Sequence, residues 1–417
     1  METIYAEATP PGRGGVSIVR LSGPRAREIG EALVGLLPRA RMAYRRAVRD
    51  EGLIDEALVL RFDAGASFTG DEVVEFQLHG APVIVRRLQA ALSARGARLA
   101  EAGEFTRRSF LNGTMALSGV EALSDLLSAE TEAQRVQAMR VVSGELAAWT
   151  AALREKLIRA GALIEASLDF ADEEVPEDVP PEVFELLAEV RAQIGRQILG
   201  VPAAERIRAG FEVAIIGPPN AGKSSLMNHI AGREVALVSD EAGTTRDVLE
   251  LRTELDGLAV TFLDTAGLRE AEDKVERMGV ARARDRAAAA DLRVILLGES
   301  LADEPLRVPG DIVVRSKADL GSGDISAVTG AGVDALLARV AGELTGRVAG
   351  AGLVSRHRQA EALRDAYAAL GTADHGMPPE VLAELVRDVS ARLAEVVGRV
   401  APDDYLDEVF SSFCIGK

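Results

Sequence analysis

The octapeptide Gly217-Pro218-Pro219-Asn220-Ala221-Gly222-Lys223-Ser224 constrains this chain more than any other feature. It fits the pattern Gly-x-x-x-x-Gly-Lys-Ser, and it comes after the apolar run 213–216 and before a helical pattern, the context a phosphate-binding loop requires. The glycines let main-chain N–H groups turn inward on a triphosphate, Lys223 adds a point charge, and Ser224 can place its hydroxyl on Mg2+. Asn220, Ala221, Gly222 and Ser225 complete the expected nucleotide contacts, and the helix after the loop adds its positive end.

Phosphate loops also serve kinases and ATPases, so the order of the downstream motifs decides between them. Gly243-Thr244-Thr245-Arg246-Asp247 resembles a first switch, where a threonine hydroxyl completes the magnesium shell. Asp264-Thr265-Ala266-Gly267 closes the apolar run 260–263, putting a carboxylate near the metal and a glycine N–H near the γ-phosphate. In Ser316-Lys317-Ala318-Asp319, Asp319 can accept the N1–H and amino donors of guanine, a pattern adenine does not offer. Ser316 stands where GTPases usually carry asparagine or threonine. Ser326-Ala327 resembles the small loop behind the base. GTP and GDP are the expected ligands.

Water activation is less direct. Leu268 occupies the position of a water-orienting glutamine, so another group must act. The spacing of Glu276 suits both a solvated helix charge and a water-positioning carboxylate. Asn220 suits both a turn-stabilising amide and a ligand for a monovalent cation beside the phosphates.

At 417 residues the chain exceeds one domain, and its texture changes three times. We expect an α/β domain over 1–115, a helical part over 116–208, an inserted domain over 209–348 with a parallel doubly wound sheet, and a second helical part over 349–417. The fold class is thus multidomain α/β plus all-α. With 47% hydrophobic and 27% charged residues, wholesale disorder is excluded. The net charge of −17 leaves any nucleic-acid contact to a local patch. Arg39, Arg41, Arg45, Arg46 and Arg49 with Tyr44 form the best such cluster, although a solvated face is the leading reading of it. No apolar run approaches 18 residues and no secretory leader is apparent, so no membrane and a cytoplasmic location are expected; the single cysteine, Cys414, suits a reducing compartment.

Four further segments carry a resemblance to a known family. These are Ala8-Thr9-Pro10-Pro11-Gly12-Arg13-Gly14-Gly15 with Arg20; Ser67-Phe68-Thr69-Gly70 through Glu75 and His79-Gly80; Gly103-Glu104-Phe105-Thr106 through Asn112; and Cys414-Ile415-Gly416-Lys417. Nearly the whole chain resembles the bacterial tRNA modification GTPase MnmE (TrmE) family. That resemblance implies an amino-terminal tetrahydrofolate-binding domain that forms a homodimer, a helical domain from two segments, and an inserted G domain. It implies hydrolysis stimulated by K+ when G domains pair, with K+ on Asn220, Ser239, Glu241 and Thr244, and Mg2+ on Ser224 and Thr245. Asp240, Ala242 and Gly243 then join the nucleotide contacts, and Glu276 becomes the catalytic, water-positioning residue. It further implies work with a flavin-dependent partner, MnmG (GidA), on carbon five of the tRNA wobble uridine, using a tetrahydrofolate one-carbon unit. Folate contacts fall on Arg20, Glu75, Lys417 and a lysine position that is Thr114 here. Cys414 becomes a possible functional thiol, with an inert terminal thiol as the rival reading. The rival to the whole assignment is a regulatory or ribosome-assembly GTPase without modification chemistry.

Overall fold

Alternating apolar residues over 17–22 and 73–78 make half-buried strands, and these anchor the first of two compact units in a computed structural model. It describes residues 1–169, 179–218, 220–232, 250–264, 285–297, 308–321, 323–398, 410, 413 and 416. The first unit comprises Met1–Ser124 and Val397–Lys417, the second Asp125–Val396.

In the first unit, strands β1 (Ile4–Glu7), β2 (Ser17–Ser22), β3 (Tyr44–Arg49), β4 (Leu53–Phe62), β5 (Val73–Leu78) and β6 (Arg98–Leu99) form a sheet of order β3-β4-β5-β2-β1-β6. All pairings are antiparallel except β1 with β6. Helices α1 (Ala26–Val34) and α2 (Pro82–Ala94) bury Ile29, Leu33, Val85 and Leu88 with Val19, Leu21, Val74 and Phe76 of the sheet. Each large side chain so buried contributes roughly 1.5–3 kcal/mol. The sheet's other face carries Arg20 and Glu75, which are register partners on β2 and β5.

Helix α3 (Glu104–Leu111) is tied to this unit by charge. The Glu104 carboxylate accepts from Arg98 Nη2 at 2.7 Å, Arg108 Nη2 at 2.9 Å and the Glu101 N–H at 2.9 Å. Burial alone would raise its pKa, but the hydrogen bonds from Arg98, Glu101 and Arg108 prevail and hold it below the ordinary carboxylate value. A carboxyl depressed in the folded state stabilises at neutral pH, and that contribution is lost as pH falls below the ordinary carboxylate range. Glu104→Gln is therefore expected to cost about 2 kcal/mol at pH 7, and progressively less as pH falls through the lowered folded-state value. Amide exchange over residues 98–111 would report this; equal exchange in both proteins at pH 7 would refute it.

Helix α4 (Leu117–Leu127) begins in this unit, and Leu117 and Val120 pack with Phe410 and Phe413. Gly416 lies against β1 so closely that a Cβ there would sit 2.2 Å from the Glu7 carbonyl oxygen, which leaves no side chain but hydrogen. Gly416 thus lies beside the strand that pairs Ala6 with Arg20.

The second unit contains a helical core and a five-stranded sheet. Helices α5 (Glu132–Val142), α6 (Glu145–Asp169), α7 (Pro181–Ala209), α9 (Val333–Val348), α10 (His357–Leu370) and α11 (Pro379–Val397) flank α8 (Lys223–Ala231) of the sheet region in chain order. Leu153, Leu157, Val190, Ile194, Leu363 and Val389 belong to one buried cluster that joins α6, α7, α10 and α11. Helix α5 starts at a capping box in which Thr131 Oγ1 accepts from the Gln134 N–H and Gln134 Oε1 accepts from the Thr131 N–H.

The sheet has the order β11-β10-β7-β9-β8, built from β7 (Phe211–Ile216), β8 (Glu250–Leu255), β9 (Leu258–Asp264), β10 (Leu292–Leu297) and β11 (Ile312–Arg315). Strands β7, β9, β10 and β11 are parallel, as expected. Strand β8 adds an antiparallel edge to this sheet. The cause is local: Asp256 and Gly257 both have positive φ (48° and 79°), making a two-residue hairpin whose twist suits antiparallel strands.

Candidate functional site

In a parallel sheet, loops at the carboxyl ends of strands converge, and a ligand enters where neighbouring crossovers diverge. Strand β7 lies between β9 and β10, so its carboxyl end is such a place. Gly217 begins the loop there, and a Cβ at this position would lie 2.4 Å from the Leu296 carbonyl oxygen of β10. Asn220 (φ 63°) and Gly222 (φ 92°) are left-handed, and α8 starts at Lys223 with its first N–H groups unspent within the helix. Successive amides turned this way form an anion nest.

Lys223 is buried, and its Nζ donates to the carbonyls of Gly217 at 2.8 Å and Pro218 at 3.0 Å. The ammonium is therefore held at the loop's mouth. Ile215 and Asp264 are register partners on β7 and β9, which brings Asp264 to the same sheet edge. Ser224 Oγ donates to Asp264 Oδ2 at 2.8 Å. A hydroxyl and a carboxylate at this separation are hard oxygen donors of the kind Mg2+ takes, together with phosphate oxygens and water. Among the described residues no cluster of three His, Cys, Asp or Glu side chains suggests another metal.

The base-recognition segments also meet. Ser316 donates its N–H and its Oγ to the Leu297 carbonyl, at 3.2 and 3.3 Å, so the serine tethers this loop to β10. Lys317 is left-handed (φ 64°), and the Ala318 N–H donates to Ile325 O at 2.9 Å. Buried Ser326 donates to Asp319 Oδ1 at 2.6 Å, which orients an otherwise exposed carboxylate.

A second constellation lies in the first unit. Arg20 Nε donates to Glu75 Oε1 at 2.8 Å, and the Arg20 guanidinium lies 5.9 Å from the Phe68 ring centre and 5.6 Å from that of Phe105. Thr114 Oγ1 donates to Phe68 O at 3.0 Å, Asn112 Nδ2 to Thr69 O at 2.7 Å, and Arg108 Nη1 pairs with Asp71 at 3.4 Å. Segments 67–75 and 103–114, distant in sequence, are thus stitched together around Arg20.

Residues 117–414 match the MnmE helical domain, and residues 3–114 match the N-terminus of the GTP-binding protein TrmE. The chain is 61% identical over 421 residues to the tRNA modification GTPase MnmE of Paracoccus denitrificans, with 100% of both chains covered. The chain belongs to the MnmE family. It is also 51% identical over 428 residues to the tRNA modification GTPase MnmE of Ruegeria pomeroyi, again with 100% of both covered. Among solved structures, Aquifex aeolicus Era aligns at TM-score 0.26 and 22% identity, over 40% of this chain and 69% of that one, a likeness too low to carry weight.

As an MnmE-family protein the chain is a P-loop GTP hydrolase. The structure brings Asn220, Ala221, Gly222, Lys223, Ser224 and Ser225 to one loop and helix start, Asp264 beside Ser224, and Lys317, Asp319, Ser326 and Ala327 into adjoining loops. Ser239, Asp240, Glu241, Ala242, Gly243, Thr244, Thr245, Thr265, Ala266, Gly267 and Glu276 lie outside the described residues, as do Cys414 and Lys417. The basic cluster does not present itself as one patch. Arg45 pairs with Glu56, Arg46 lies 4.9 Å from the Tyr44 ring and bonds Leu36 O, and Arg41 turns to Ala66 O. Reading the sequence alone overlooked Phe68 and Arg41 as members of one lined cavity.

Proposed function

We propose that this chain, a tRNA modification GTPase by family, is a homodimer whose GTP hydrolysis is stimulated by K+ and by pairing of G domains. It works in the cytoplasm with a flavin-dependent MnmG (GidA) partner to place a carboxymethylaminomethyl-type group on carbon five of the tRNA wobble uridine. A tetrahydrofolate derivative supplies the one-carbon unit. Its parts are an amino-terminal folate domain over 1–115, a helical domain from 116–208 and 349–417, and a G domain over 209–348. Among the described residues no helix is long and apolar enough to cross a membrane.

The observation that carries this reading is the joining of Ser224 to Asp264 and of Ser326 to Asp319 at one sheet edge. It supplies a phosphate grip and a guanine acceptor together. Mg2+ would be held by Ser224 and Thr245, and K+ by Asn220 with Ser239, Glu241 and Thr244. Both cations would screen the charge that builds on the phosphates during hydrolysis. Glu276 would orient the attacking water. The exposed amide of left-handed Asn220 stands at the loop's rim, which supports its assignment as a cation ligand.

For folate, Arg20 and Glu75 with Thr114 and Lys417 would hold the ligand. The aromatic ring of Phe68 at 37% exposure is the kind of surface a pterin stacks on.

Asn220→Ala is expected to abolish the difference between K+ and Na+ in GTP turnover while GTP still binds. In the same assay Glu276→Ala should slow turnover about a hundredfold with GTP affinity unchanged. Equal K+ stimulation in the Asn220 variant and the parent would refute the cation assignment, and parental turnover in the Glu276 variant would refute the water assignment.

A further inference from the structure

A cavity of about 710 Å³ opens in the first unit between the 62–68 loop, Gly113–Thr114 and Arg41. Its size falls in the range that holds small organic ligands. Phe62 and Phe68 give it aromatic wall, while the single Thr114 hydroxyl hydrogen faces the Phe68 and Ser109 carbonyls and leaves that oxygen to accept. Among the described residues that line it, Arg41 is the charged one.

Arg41 is an unusual surface arginine. Its backbone is left-handed (φ 58°), a conformation that costs a residue with a Cβ free energy and persists only where neighbours enforce it. The enforcing contacts are visible. The Arg41 N–H donates to Arg61 O at 2.7 Å, and Nη2 donates to Ala66 O at 2.7 Å. One guanidinium edge is thus pinned to the cavity loop, and its remaining N–H groups are available to an acceptor in the cavity. A long, exposed side chain normally loses much rotamer freedom on binding an anion; here much of that loss has already been met.

We propose that Arg41 is the specificity-determining residue of this cavity, binding the carboxylate of an acidic tail on a heteroaromatic ligand. This rests on the folate reading and deepens it: the pterin lies toward Phe68 and Arg20, and the glutamate tail reaches Arg41. Two arginines of the same stretch are already engaged, Arg45 with Glu56 and Arg46 with Tyr44 and Leu36.

Calorimetry on the full chain tests the proposal with two probes, tetrahydrofolate and tetrahydropteroate, which lacks the glutamate. Arg41→Gly is the main variant, because glycine adopts φ 58° without strain; Arg41→Asn, which also tolerates that region, is the second. The parent chain should bind tetrahydrofolate about tenfold more tightly than tetrahydropteroate, and both variants should lose that preference while binding tetrahydropteroate as before. Unchanged tetrahydrofolate affinity in both variants would overturn the role of Arg41 and leave the folate reading standing. An equal loss for both probes would overturn it too, by showing that Arg41 does not distinguish the glutamate tail from the benzoate carboxylate that tetrahydropteroate keeps. No binding of either probe to the parent would overturn both readings.

Discussion

Replacing Lys223 by alanine is expected to lower kcat/KM for GTP about a thousandfold, roughly 4 kcal/mol of transition-state stabilisation. The ammonium is buried at the first turn of α8 and held by the Gly217 and Pro218 carbonyls, so its direction into the loop is set before any nucleotide arrives. A preorganised charge in a site shielded from water acts on developing phosphate charge more strongly than a solvated one. Arginine should not rescue, because its planar fork cannot share the two loop carbonyls as a compact ammonium does. Turnover by the alanine variant within tenfold of the parent would mean that main-chain amides alone carry the electrostatics.

The nucleotide half of the molecule is legible in the sequence because its function depends on contiguous residues at strand ends. Gly217 to Ser224 and Ser316 to Asp319 are short, and the runs at 213–216 and 312–314 place them on β7 and β11 without any need for register. Edge strand β8 escaped notice although its Asp256-Gly257 hairpin is a plain turn signal, since Glu250–Leu255 is mostly polar and reads as loop.

The constellation around Arg20 in the first unit is legible only as resemblance. Arg20 and Glu75 are 55 residues apart, and nothing in their spacing says that β2 and β5 pair in the register that joins them. The same holds for Phe68 and Thr114, which meet through a side chain-to-carbonyl bond across 46 residues. Arg41 was readable as a basic residue but not as a left-handed one, because only the surrounding hydrogen bonds force it there. Pairwise geometry across a sheet is decided by packing of the opposite face, here Val19, Val74 and Phe76 on α1 and α2, and that packing is a property of the whole unit.

Asp319→Asn is expected to weaken GTP several hundredfold and to raise activity toward xanthosine triphosphate. Guanine presents two donors, N1–H and the exocyclic amine, and a carboxylate accepts both; loss of charge-assisted bonds of this kind costs about 3–4 kcal/mol for the pair. Ser326 decides how the replacement sits. Its hydroxyl donates to Oδ1 at 2.6 Å, so an asparagine keeps its amide oxygen there and turns its NH2 toward the base. Xanthine carries a carbonyl where guanine carries the amine, so that NH2 meets an acceptor with the xanthine nucleotide and a donor with GTP. Ser326→Ala in the asparagine background removes the orienting bond and should erase much of the switch, with GTP and xanthosine triphosphate then hydrolysed at comparable kcat/KM. A double variant that discriminates as sharply as the single one would show that Ser326 does not set the orientation, and a single variant that still prefers GTP would place guanine recognition somewhere other than Asp319.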